Sequence, residues 1–210
     1  MKRILVIADI QNDFCPGGAL ATKDGDKIIP NVNKLLNCDT IERAIAAQDW
    51  HPQDHISFAS VHGLQPFQKK TVEYGEQMLW PDHCVRGTQG AQFHPQLDER
   101  NIHFVVRKAY HKNIDDYSVF FENDKKTATG AHALVDYIAG GEEFFLIVCG
   151  IATDYCVLYT ALDAKQTLGY GRVAVAVDAC AGITPDTTED ALKEMTEAGV
   201  ELLSTQQVLQ

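Results

Sequence analysis

Six short apolar runs punctuate the chain: RILVIAD over 3–9, IERAIAAQD over 41–49, IHFVVRK over 102–108, EFFLIVCG over 143–150, RVAVAVDA over 172–179 and VELLS over 200–204. Rich in Val and Ile and bounded by polar or turn residues, each reads as a buried strand. Between them, apolar residues recur at helical spacing over about 26–37, 129–139, 153–168 and 187–198. Strands alternating with helices specify βαβ units, hence an α/β fold: a three-layer α/β/α sandwich on a mostly parallel six-stranded sheet. One connection breaks the rhythm. From His51 to Asn101 no period persists, and Pro52, Pro66, Pro81 and Pro95 interrupt the segment. Its aromatics, Phe58, Phe67, Tyr74, Trp80 and Phe93, argue against disorder. The expectation is one domain over 1–210 with an irregular, functional insertion at about 51–101.

Composition narrows the class without changing that picture. With 45 % hydrophobic and 22 % charged residues in 210, the chain resembles an ordinary globular domain. The net charge of -11 argues against nucleic acid or an anionic membrane as partner, because both lean on clustered Lys and Arg. The start, MKRILVIADIQNDF, has the basic opening of a signal peptide, but its apolar stretch is short and runs into Asp9 and Asp13. Six cysteines, at 15, 38, 84, 149, 156 and 180, include no CxxC pair. They read as free thiols, and the location expected is cytoplasmic.

Candidate chemistry lies where the strands end, since open parallel sheets bind ligands beyond the carboxyl ends of their strands. The last residue of each run, or the first turn after it, supplies Asp9, Asp49, Lys108, Cys156 and Asp178. Asp178 reads as a structural cap. Asp9, Lys108 and Cys156 complement one another: a thiol attacks only as thiolate, and a carboxylate that takes its proton and a cation beside it supply that form. A buried Lys108 also needs a carboxylate partner. If Thr153 is the N-cap of the following helix, Cys156 is its third residue, where free N–H groups favour a thiolate. At about 100° per residue, Cys156 falls roughly 160° from the apolar stripe of Val157, Leu158, Ala161, Leu162 and Leu168. That spacing favours a reactive cysteine over a core filler, a role left to Cys149. QDWHPQDH (48–55) brings Asp49 and His51 past one strand end, a ligand mix suited to Zn, Fe or Mn, and WPDHCVRGT (80–88) adds His83 beside Trp80. His55 is a further candidate; His62, His94, His103, His111 and His132 read as surface or packing residues.

Taken together, ADIQNDFCPGGAL (8–20), QDWHPQDHISFAS (48–60), WPDHCVRGTQGAQFH (80–94), RKAYHKNIDDYSVF (107–120) and GIATDYCV (150–157) resemble the nicotinamidases of the isochorismatase-like hydrolase superfamily. The resemblance implies a catalytic Asp9, Lys108 and Cys156, one divalent metal (Zn, or Fe or Mn) on Asp49, His51 and His83, and an oxyanion hole from the Ala152 and Cys156 amides. It also implies a cis bond between Ile151 and Ala152 and pocket walls from Phe14, Leu20, Trp80, Tyr117 and Tyr155. The histidine equivalent to His55 ligates the metal in some members and gives way to water in others, which leaves His55 open. The implied reaction is hydrolysis of nicotinamide to nicotinate and ammonia through a Cys156 thioester, a step of NAD salvage, with pyrazinamide as a second substrate. The metal then orients the pyridine ring, and Trp80 and Phe14 sandwich it. Two alternatives share these features in part: a metal-independent ureido or N-carbamoyl amidohydrolase of the same superfamily, and a metal-binding protein with a vestigial triad. The oligomeric state, homo-oligomers included, is not legible.

Overall fold

The computed structural model describes residues 1–210. Its strands are β1 (Lys2–Ala8), β2 (Arg43–Asp49), β3 (Lys69–Val72), β4 (Gly75–Met78), β5 (Phe104–Lys108), β6 (Phe144–Ile151), β7 (Arg172–Ala181) and β8 (Glu201–Leu203). The main sheet has the order β5-β2-β1-β6-β7-β8, and every pairing in it is parallel. Each apolar run of the sequence lies on one of these six strands. β3 and β4 form a separate antiparallel hairpin.

The central strands show why continuous apolar runs are required. Ile4 to Ala8 of β1 are all fully buried, but successive side chains enter different cores. Ile4, Val6 and Ala8 join Leu146 and Val148 of β6 under α3 (Ala131–Ala139) and α5 (Pro185–Glu197). Leu5 and Ile7 join Phe145, Ile147 and Cys149 on the opposite face, under α1 (Ile29–Leu36) and α6 (Thr205–Val208). Period-two alternation thus distributes one strand between two layers of helices.

The sequence passed over three elements. α2 (Ala59–His62) and the β3–β4 hairpin lie inside the insertion, and α6 closes the chain with a capping box between Ser204 and Gln207. Asp178 serves this last helix, its carboxylate accepting from the Thr205 amide (2.6 Å) and hydroxyl (2.8 Å). No helix is long and apolar enough to cross a membrane. From β1 the chain crosses to β2 on one side and later returns to β6 on the other, so the crevice of the fold opens beyond the ends of β1 and β6.

Candidate active site

Neighbouring strand ends deliver the predicted groups to that crevice. Asp9 follows β1, and Asp49 and Lys108 end β2 and β5 as partners in the ladder. Near the end of β6 stands Gly150 (φ +125°), where an added Cβ would meet the Ala8 carbonyl oxygen at 2.0 Å. Only glycine permits this approach to β1. The Ile151–Ala152 bond is cis, as the resemblance implies.

The following helix departs from expectation. Its first residue is Thr153, its N-cap is Ala152, and no side chain caps it, so Cys156 is the fourth helical residue. Thr153–Val157 is wound as a π-helix, with the Val157 amide reaching back to the Ala152 carbonyl at 3.0 Å, before α4 (Leu158–Leu162) and a second π segment, Asp163–Thr167. π winding turns the chain less per residue than the 100° assumed from sequence. Cys156 therefore does not stand opposite the apolar stripe. It is buried, packs with Val157 and Leu158, and also reaches the cavity.

Lys108 is the hub. Its fully buried Nζ lies 3.1 Å from Asp9 Oδ2, donates to Asp49 Oδ1 and to the Asp116 carbonyl (2.9 Å), and stands 3.8 Å from Cys156 Sγ. Neither buried oxygen of Asp9 receives an aligned hydrogen bond, and the carboxylate stands beside both Lys108 and the Cys156 thiol whose proton it could accept. Burial, opposed by Lys108 and reinforced by Asp49, pushes the Asp9 pKa up to about 7. Burial also raises the Cys156 thiol well above its usual value, against the pull of Lys108. Lys108 moves up: the attraction of Asp49, Asp9 and Cys156 overcomes the burial that opposes its charge.

Asp49 faces two ways. Oδ1 meets Lys108, while Oδ2 lies 3.6 Å from His51 Nε2 and 3.9 Å from His83 Nε2. Burial works against its charge, but Lys108 and the histidines prevail and hold it ionised. His83 Nδ1 donates to the Pro81 carbonyl at 2.8 Å, which leaves the Nε2 lone pair facing Asp49. Its burial, with His51 nearby, lowers the pKa to about 4 and keeps the ring neutral. Both His51 nitrogens are buried without a partner. A carboxylate and two imidazoles, one of them with no hydrogen bond, fit a divalent ion. His51, His55 and Asp115 form a second tight group. His55, however, is engaged at both nitrogens: Nε2 donates to the Ile114 carbonyl (3.1 Å) and Nδ1 meets the Ser57 hydroxyl (2.7 Å).

The cavity above these groups encloses about 440 Å³ up to its mouth. Phe14, Leu20, Trp80, Tyr117 and Tyr155, the walls named from sequence, all line it, as do Asp49, His51, His83, Ala152 and Cys156. Trp80 and Tyr155 meet edge to face at 5.0 Å, and Tyr117 and Tyr155 at 5.3 Å. Asp9 and Lys108 sit beneath Cys156 rather than in the wall. Thr22, Asp115, Asp116 and Ile183 also line the cavity and were not read from sequence. Two framework residues escaped as well. The Gln11 side chain pairs with the backbone of Asp49 in both directions, at 2.9 and 2.8 Å, and Asp13 accepts from the Cys84 amide at 2.7 Å, fixing the loop that carries His83. Both lie within IQND, and their polar side chains directly after a buried strand were the signal.

The chain belongs to the isochorismatase family: the isochorismatase domain matches residues 3–207. Within that family it is 44 % identical to a nicotinamidase of Acinetobacter baylyi, over 98 % of this chain and 94 % of the relative. A solved nicotinamidase/pyrazinamidase of Acinetobacter baumanii superposes with a TM-score of 0.92 at 42 % identity, covering 99 % and 98 % of the two chains. An L. infantum structure in complex with nicotinate (TM-score 0.84, 34 % identity, 98 % and 93 % covered) and a Pyrococcus horikoshii pyrazinamidase in complex with zinc (0.72, 33 %, 97 % and 99 %) share the fold.

Proposed function

We propose that this protein is a nicotinamidase that hydrolyses nicotinamide to nicotinate and ammonia, with Cys156 as nucleophile. The observation that carries the reading is the contact of one buried ammonium, Lys108, with Asp9, Asp49 and the Cys156 thiol at the floor of an aromatic cavity. The identity to curated nicotinamidases and the nicotinate bound in a relative support the substrate.

Asp9 takes the thiol proton, and Lys108 stabilises the thiolate. Sγ adds to the carboxamide carbon, and the Ala152 and Cys156 amides receive the oxyanion. Asp9 returns the proton to the departing nitrogen, ammonia leaves, and a thioester remains. Asp9 then deprotonates a water that adds to the thioester carbon; nicotinate is released and the thiol re-forms. Asp49, His51 and His83 would hold a divalent ion, zinc in one relative, whose Lewis acidity would orient the ring through its pyridine nitrogen. A ring of this size and polarity makes pyrazinamide a second substrate. Free cysteines and an acidic chain favour a cytoplasmic place in NAD salvage.

The test is ammonia release from nicotinamide by the purified protein, by Cys156→Ala and after chelation. The wild type is expected to be active, and Cys156→Ala to fall by at least about a thousandfold. An inactive wild type would sink the substrate assignment, and an active Cys156→Ala the nucleophile. Undiminished activity after complete metal removal would favour the ureido-type hydrolase.

A further inference from the structure

The β3–β4 hairpin is polar and open to solvent at most positions, yet Gln77 within it is 1 % exposed. Its carboxamide is fully used. Nε2 donates to the Met78 carbonyl (2.7 Å) and Asp115 Oδ2 (2.7 Å), and more weakly to the Tyr117 hydroxyl oxygen (3.1 Å). Oε1 accepts from the Tyr74 hydroxyl (2.8 Å). The same residues close a ring around it: the Asp115 amide donates to the Tyr74 hydroxyl (3.1 Å), and the Tyr117 amide to Asn123 Oδ1 (3.2 Å). Residues 115–117 belong to no strand or helix, so this ring supplies order that the sheet does not. An amide nitrogen only donates, so the Tyr117 oxygen accepts from Gln77 and its own proton points elsewhere. That phenol stands in the cavity wall, with its ring 6.4 Å from Trp80 and 5.3 Å from Tyr155.

We infer that Gln77 is a positioning residue for substrate binding: from outside the cavity it fixes the ring and the hydroxyl of Tyr117 in the wall that receives the ligand. This rests on the nicotinamidase reading. Gln77 touches none of Asp9, Lys108 and Cys156, so its loss acts on affinity and leaves the chemical step intact.

The experiment compares Gln77→Leu, Tyr117→Phe and the double variant in ammonia release from nicotinamide, with metal content and amide hydrogen exchange measured alongside. Gln77→Leu is expected to raise KM about three- to tenfold, the worth of one net hydrogen bond, with kcat within about twofold. Tyr117→Phe should reproduce that split to a smaller degree, and the double variant should be no worse than Gln77→Leu, because Gln77→Leu already removes the Gln77–Tyr117 bond along with those to Asp115 and Tyr74. Amides of Asp115 and Tyr117 should exchange faster in Gln77→Leu. An unchanged KM, a fall in kcat instead, fully additive effects or loss of bound metal would each overturn the inference. If Gln77→Leu does not fold, Tyr117→Phe alone decides: an unaltered KM refutes the role. If the wild type releases no ammonia, the substrate reading falls by itself, and unaltered exchange at Asp115 and Tyr117 in Gln77→Leu would then separately refute the positioning.

Discussion

Lys108 concentrates the electrostatics of the site on one nitrogen, and its removal exposes what it balances. Lys108→Met leaves Asp9 and Asp49 buried without their common cation, a loss that costs about 3–5 kcal/mol in comparable buried pairs. Urea unfolding should show that loss, and alkylation of Cys156 by iodoacetamide should slow. Asp9 sets the pH response. With its pKa near 7, it must be ionised to take the thiol proton, so kcat/KM should climb through that pH and level off above it. The stability effect runs the other way. The folded state holds the Asp9 proton more tightly than the unfolded chain, so this group stabilises the fold at low pH and loses its contribution as pH rises through about 7. Asp9→Asn should abolish the acidic limb together with activity. Asp9, Ala109 and Cys84 also hold left-handed φ of +49°, +54° and +45°, each at or just after a site residue. Such conformations cost about 1–3 kcal/mol each and persist where surrounding structure fixes them, as at functional sites.

At the scale of elements, the last residues of β6 leave no room for an added side chain. Gly150→Ala drives a methyl into the Ala8 carbonyl and imposes a left-handed φ on a residue with a side chain, and should destabilise by more than about 1 kcal/mol. Thermal unfolding would record it, and Gly75→Ala, at φ +132° with nothing within 4 Å, supplies the comparison for φ alone. The four inner sheet strands were legible because strands buried on both faces must be apolar throughout, while the edge strands β5 and β8, only partly buried, showed through their Val, Ile and Leu content. The helix start was not. Thr153 has a capping residue's chemistry, but it is the first helical residue and caps nothing, and the π winding that places Cys156 is not encoded by a 100° periodicity. The β3–β4 hairpin was invisible for the opposite reason: Lys69, Lys70, Thr71, Glu73 and Glu76 leave it no apolar alternation, and its attachment to residues 115–117 runs through hydrogen bonds of Gln77 and Tyr74. Asp115 and Asp116 were not singled out either, because only folding brings them to the cavity.

Over the whole molecule, the candidate ion site ties distant parts of the chain together. Asp49 and His51 come from the end of β2 and His83 from the insertion, so a bound ion should stabilise the folded state and not the unfolded one. Adding zinc to chelator-treated protein should raise its melting temperature, by the equivalent of about 2.7 kcal/mol when free ion exceeds Kd a hundredfold. His83→Ala should remove most of that response.

The parallel ladder carries a kinetic consequence. Asp49 lies opposite Lys108, and Ala8, just before Asp9, lies opposite Gly150. A slip of one residue in either pairing would turn a proposed catalytic group to the wrong face of the sheet. These partners are far apart in the chain, and pairings of that kind form slowly. Returning activity in a refolding experiment therefore clocks the arrival of correct strand register, later than the recovery of helical signal, and a molecule that is compact but misregistered would stay silent in the assay.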